Sequence, residues 1–313
     1  MMIENLSPFS AELVPSFDAQ GQAQTVVVVK GVFDLQGRLR SPLEAVPVWT
    51  GDVYFEGPEY PKYAVRFEAD WAPVKPLVDL IINGHAYAPS ARPVRQFEVK
   101  LQVGAASPVV ARVFGPRHWR KRLMWTLSSA EPVQRVPLVS WTPWLNPDAT
   151  RGTLPLPASP FEWSNELAPI PDPHAAPAGF GVFARAWLPR RGYAGSYPGN
   201  GRGLAIGLES RMPANFDERY WNCAHPRLQY AKNKLRPGTE IRLLNMSAHG
   251  QTHAVLPSVP LTIALADGSL VKPDFDTVII EPDSDRLILT WRHTLARTPM
   301  TQTGQVTVHL STT

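Results

Sequence analysis

The chain has 313 residues, 44% of them hydrophobic and 19% charged, with 31 basic against 27 acidic side chains. That apolar content is enough for a core, and intrinsic disorder, which needs few apolar groups and high net charge, is excluded as a whole-chain reading. Proline is in excess, 33 of 313 residues; each proline removes a backbone donor and stops a helix, so a helical bundle is excluded as well.

The net charge of +4 permits acidic partners without demanding them. A single cysteine, Cys223, rules out an intrachain disulfide and fits a reducing compartment. The first residues, MMIENLSPFSAELVPSF, lack the basic and apolar regions of a signal peptide. No apolar run approaches the ~20 residues of a membrane span. A cytoplasmic protein is expected.

The predicted elements are mostly strands. Ala23–Leu35 is valine-rich and closes on a turn at Gly37. Val65–Glu68 alternates apolar and polar residues, and Leu77–Ile82 is a short buried run ended by the turn pair Asn83-Gly84. Val94–Val103 alternates with a register change near Gln96 that predicts a bulge, and Val109–Phe114 follows as the next strand. Residues 137–213 are dense in Pro, Gly, Trp and Tyr and read as loops held by their own aromatic side chains. Strands return at Thr239–Met246, Leu261–Ala266, Thr277–Glu281, Arg286–Trp291 and Gln305–Leu310. Only Asn215–Tyr220 and Pro226–Leu235 suit short helices. The expected fold is mainly β, with antiparallel sandwich or barrel-like sheets. Its expected parts are an N-terminal β region (1–136), an irregular aromatic segment packed on it (137–213) and a C-terminal β region (214–313), or one domain spanning all three.

No catalytic constellation emerges. His249 and His253 in HGQTH have helical metal spacing, but Gly250 stands where a metalloprotease glutamate would be, so two loop histidines are expected. Asp274, Asp276, Glu281, Asp283 and Asp285 lack EF-hand spacing and suit turn chemistry. Gly199–Gly203 lacks the Lys-Ser/Thr pair of a phosphate loop, and Ser196 lacks the frame of a nucleophile elbow. Cys223 and His225 would share a face on a strand, where a thiolate–imidazolium pair is the functional reading and a buried structural cysteine the plain one. No cofactor or metal is expected. Arg117–Arg122 is the one basic run, interleaved with Trp119; it suits either an acidic protein segment or single-stranded nucleic acid.

Several segments together resemble the DUF2169 family. They are Gly84–Pro89 with Arg92-Pro93-Val94; Val113–Trp119; Pro132 and Pro137-Leu138; Pro177–Gly181; Trp187–Arg191; and Gly195-Ser196-Tyr197. The resemblance continues through Pro213, Phe216-Asp217, Tyr220–Asn222 and Ala224–Pro226 to Thr277–Pro282 and Leu289–Arg292. Two departures stand out: Val139–Trp144 replaces the family's Trp-Glu-x-Ala-Phe-Gly-Gly segment, and His225 is inserted before Pro226. The resemblance implies a non-enzymatic adaptor or co-chaperone of type VI secretion. Its partner would be an effector, a PAAR-type spike tip or another chaperone. Membrane and nucleic-acid partners are not expected. It carries over no catalytic residues.

The residue types enriched at interface hot spots place the partner surface at Arg117, Trp119 and Arg120, and along Phe180, Trp187, Arg190, Tyr193 and Tyr197. Two alternatives stand beside this reading. One is an enzyme using His85, His118, His225 or the Asp274–Asp285 cluster. The other is a nucleic-acid binder using Arg117–Arg122.

Overall fold

The computed structural model describes residues 1–61, 63–89, 92–121, 123–140, 156–164, 178–196, 212–296 and 304–311. The fold is mainly β, and its largest sheet has six strands. In spatial order they are Gln229–Tyr230, Val78–Ile82, Phe275–Glu281, Arg286–Ala296, Ala23–Phe33 and Ser10–Phe17. Three of its four inner strands, Val78–Ile82, Phe275–Glu281 and Ala23–Phe33, hold near-continuous β-branched and leucine runs, as strands covered on both faces must. A second sheet of five strands runs Phe161–Trp163, Val109–Phe114, Gln96–Val103, Glu240–Leu244, Gln251–Val255. Gln96–Val103 alternates exposed and buried residues, so one of its faces is wet.

Strands from the first and last thirds of the sequence are neighbours in both sheets. Ala23–Phe33 pairs with Arg286–Ala296 over ten residues, and Gln96–Val103 pairs with Glu240–Leu244. One hydrophobic cluster joins the two sheets; Val29, Leu80 and Ile280 from the first lie in it with Val99, Val113 and Leu243 from the second. The irregular middle segment contributes Phe161, Trp163, Phe180 and Val182 to the same cluster.

Several expectations are corrected. Not every pairing is antiparallel: Val78–Ile82 runs parallel to Phe275–Glu281, and Met2–Asn5 runs parallel to Gln305–Leu310. At Asn83-Gly84 the buried run ends as expected, and the chain leaves the large sheet there, so that His85–Tyr87 pairs with Arg135–Pro137. Around Gln96 there is a break rather than a bulge; Val94 forms an isolated bridge with Val133 before the strand begins. The short helices expected in Asn215–Tyr220 and Pro226–Leu235 are present but shorter and of 3-10 form, at Glu218–Trp221 and Pro226–Leu228, and Gln229 then returns to a strand. The single α-helix among the described residues, Leu188–Gly192, lies in the segment expected to be loop. Its arginine, not helix propensity, fixes it in place, as the site geometry shows.

Candidate partner-binding hairpin and its buried supports

The basic run folds into a small hairpin. His118–Lys121 pairs with Trp125–Leu127 on one side and with Leu156–Pro157 on the other. The register puts Trp119 opposite Leu127 and Arg120 opposite Thr126. Because side chains alternate across a strand, Trp119 and Arg120 point to opposite faces. Trp119 meets Trp125 edge-on at 6.5 Å between ring centroids, a favoured aromatic geometry. At the tip, Leu123 is fully exposed and Met124 is 76% exposed. Arg120 is also exposed. The hairpin therefore offers apolar side chains beside a positive charge, without burying either.

Other residues expected at the partner surface lie inside. Arg117, at the foot of the hairpin, is 6% exposed. Its guanidinium donates to Glu162 Oε1 at 2.5 Å and to the Ser159 carbonyl at 2.9 Å, and sits over the Phe114 ring. Phe180 is fully buried, and Trp187 packs edge-on against Phe183 at 5.0 Å. Arg190 is buried in a bidentate pair with Glu68, at 2.7 and 2.8 Å, and also donates to the carbonyls of Phe183 and Tyr220. A planar five-donor group can tie these elements together where no lysine could. The surface placement expected for Arg117, Phe180, Trp187 and Arg190 is thus corrected: the irregular segment needs them as internal ties. Tyr193 stays half-buried beneath the Arg219 guanidinium. Tyr197 lies outside the described residues, as do Trp141, Trp144 and Gly199–Gly203.

Sequence reasoning missed two further buried charge clusters. In one, Lys30 Nζ lies 2.7 Å from Asp70 Oδ2 and over the Trp49 ring; Arg292 bonds Asp70 Oδ1 at 3.0 Å and also pairs with Asp276. Burial pulls the Lys30 pKa down to about 8, against the opposing pull of Asp70. In the other, Lys75 Nζ lies 2.7 Å from Asp79 Oδ2. Asp79 also accepts from the Cys223 and Ala224 amides and from Asn222 Nδ2. Burial raises its carboxyl's pKa, but Lys75 and these donors outweigh that and hold it below the usual range. The signal for both clusters was present in the sequence: single charges, Lys30 and Asp79, stand inside otherwise apolar strands.

Cys223 and His225 do not form a catalytic pair. The Cys223 thiol faces Asp79 and Lys75, and burial raises its pKa. His225 instead packs edge-on against Trp163 and Phe183. Its Nε2 faces the Trp163 indole N–H at 3.3 Å, and its Nδ1 accepts from the Arg227 amide. Burial, helped by Arg227, lowers its pKa to about 4. His249 sits in a turn, while His253 lies on the edge strand Gln251–Val255 rather than in a loop. No group of three or more potential metal ligands occurs among the described residues. No helix among them is long and apolar enough to cross a membrane.

This arrangement defines a mainly β protein with buried ionic ties and a hairpin whose apolar tip is exposed. The family described as "Uncharacterized protein conserved in bacteria (DUF2169)" matches residues 20–143 and 142–292. The chain belongs to the DUF2169 family. No curated protein and no solved structure matches it.

Proposed function

We propose that this protein is a non-enzymatic adaptor or co-chaperone that holds a type VI secretion effector, its chaperone or a PAAR-type spike tip in the cytoplasm for loading. The observation that carries the reading is the hairpin tip, where Leu123 and Met124 project into solvent, with the Trp119–Trp125 pair on one face of the hairpin and Arg120 on the other. Apolar anchors flanked by charge are the composition of a protein-docking patch. The positive flank favours an acidic segment on the partner. Family membership supports the reading through the type VI association that the resemblance implies.

The test is capture of a PAAR-type spike tip or effector by the tagged full chain. The wild type retains the partner in stoichiometric amount. The double variant Leu123→Asp, Met124→Asp loses it while keeping its circular dichroism spectrum and melting temperature. Equal capture by that variant removes the hairpin from the interface, and no capture by the wild type overturns the adaptor reading.

A further inference from the structure

An open cavity of about 450 Å³, sharing no residue with the hairpin, is lined by Phe17, Asp18, Val74, Phe216, Glu218 and Trp221, among others. Three stretches of chain meet there: the end of strand Ser10–Phe17 with the turn after it, Pro73-Val74, and Met212 to the 3-10 turn Glu218–Trp221. Two lining side chains fix these stretches. Gln24 Nε2 donates to the Phe17 carbonyl at 3.0 Å, and the Thr294 hydroxyl donates to the Pro73 carbonyl.

The charges of the lining are all of one sign. Asp18 Oδ1 accepts from the Gln20 and Gln22 amides, at 2.9 and 2.7 Å, and so closes its turn; Oδ2 has no partner among the described residues. Glu218 is exposed, and its carboxylate has no partner among them either. No lysine, arginine or histidine among the described residues lines the cavity. The neighbouring cations are occupied elsewhere. Arg219 pairs with Asp217 and lies over the Tyr193 ring. The buried Lys75 is matched by Asp79, and Arg292 with Lys30 by Asp70 with Asp276. His293 points to the strand face opposite Thr294. Two carboxylates therefore stand uncompensated beside aromatic walls. The Phe216 and Trp221 rings meet at 5.7 Å and 55°, both half-buried, and Phe17 is 50% exposed. Ring faces carry partial negative charge and attract cations.

We infer that this cavity binds an organic ammonium group, whether on a free molecule or on a protein side chain. The cation lies against Trp221, Phe216 and Phe17, and Asp18 Oδ2 and Glu218 balance its charge. An anion meets two unmatched carboxylates. A bare calcium ion wants about six to eight oxygen ligands, and the aromatic walls supply none. A neutral molecule of the same shape gains neither the ring attraction nor the carboxylates.

The experiment is calorimetric titration of the full chain at low ionic strength, where exposed charges are least screened. The probes are choline, its neutral isostere 3,3-dimethylbutan-1-ol, Nα-acetyl-lysine amide and calcium chloride. At least one of the two ammonium probes is expected to bind saturably, in the millimolar range or tighter, and ahead of the alcohol and calcium. Asp18→Asn with Glu218→Gln removes both charges while keeping the Oδ1 acceptor of the turn, and is expected to weaken binding about tenfold. Trp221→Leu is expected to weaken it roughly fivefold. Absence of saturable binding of both ammonium probes to the folded wild type overturns the proposal. So does equal or tighter binding of the alcohol or of calcium, or unchanged affinity in either variant when folded. The double variant changes no packed apolar group, so it keeps the test open if Trp221→Leu does not fold. Tighter binding of Nα-acetyl-lysine amide than of choline assigns the site to a lysine side chain of a protein. Equal or weaker binding of that amide assigns it to a free quaternary ammonium.

Discussion

The hairpin at His118–Leu127 and the helix at Leu188–Gly192 are built from the same kinds of residue, arginine and tryptophan close together, and the fold uses them in opposite ways. In the helix segment, Arg190 and Trp187 are turned inward, and the guanidinium holds Glu68 and two carbonyls. In the hairpin, Arg120 faces solvent and the tip carries Leu123 and Met124 outward. Residue type does not decide between structure and recognition; the number of acceptors that the surrounding chain brings to the guanidinium does. A buried arginine with a complete set of partners is a tie, and removing one partner leaves an uncompensated charge.

The comparison breaks most sharply at the buried carboxylates. Asp79→Ala strands Lys75 and four further donors, and the expected cost is about 3–5 kcal/mol in chemical denaturation. A loss under ~1 kcal/mol would show that this buried carboxylate is not what ties Asn222–Ala224 to the large sheet.

Acid titration sharpens the same point at His225. Its folded pKa of about 4 lies below its ordinary 6.5, so the unfolded chain binds more protons between those values. Stability is therefore full above pH 6.5 and falls as the pH drops through 6.5 toward 4, by about 3 kcal/mol in all. His225→Phe is expected to flatten that limb of the stability–pH curve, whereas the Asp79 and Glu68 carboxylates, held below their usual range, act at lower pH.

The hairpin responds more weakly. Trp119→Ala loses the edge-on contact with Trp125 and half-buried area, about 1 kcal/mol of stability, measured by thermal unfolding. At the tip, Leu123→Asp with Met124→Asp is expected to change stability by less than ~0.5 kcal/mol while abolishing capture. A large loss of stability there would mean that the tip is packed rather than presented.

Much of the fold was legible in the sequence. The valine run of Ala23–Phe33, the alternation in Gln96–Val103 and the short strand Gln305–Leu310 were all visible as local patterns. The candidate hairpin was visible as a basic run around Trp119. The buried clusters were signalled only by single charges inside apolar strands, because most of their partners are far away in the chain: Lys30 meets Asp70 and Arg292, and the Lys75–Asp79 pair meets Cys223. His85 and Asp283 likewise stand 198 residues apart in the chain and 2.8 Å apart in the fold.

By itself, then, the sequence determined the β character, the exclusion of a helical bundle and the family, since strand periodicity, proline frequency and motif order are local properties. Only the tertiary structure decided which arginines are ties and which face solvent. It also paired the first long strand with the last third of the chain and brought Phe17, Phe216 and Trp221 around one cavity. Burial and ion pairing depend on which distant segments share a sheet, and strand periodicity carries no record of a strand's partner.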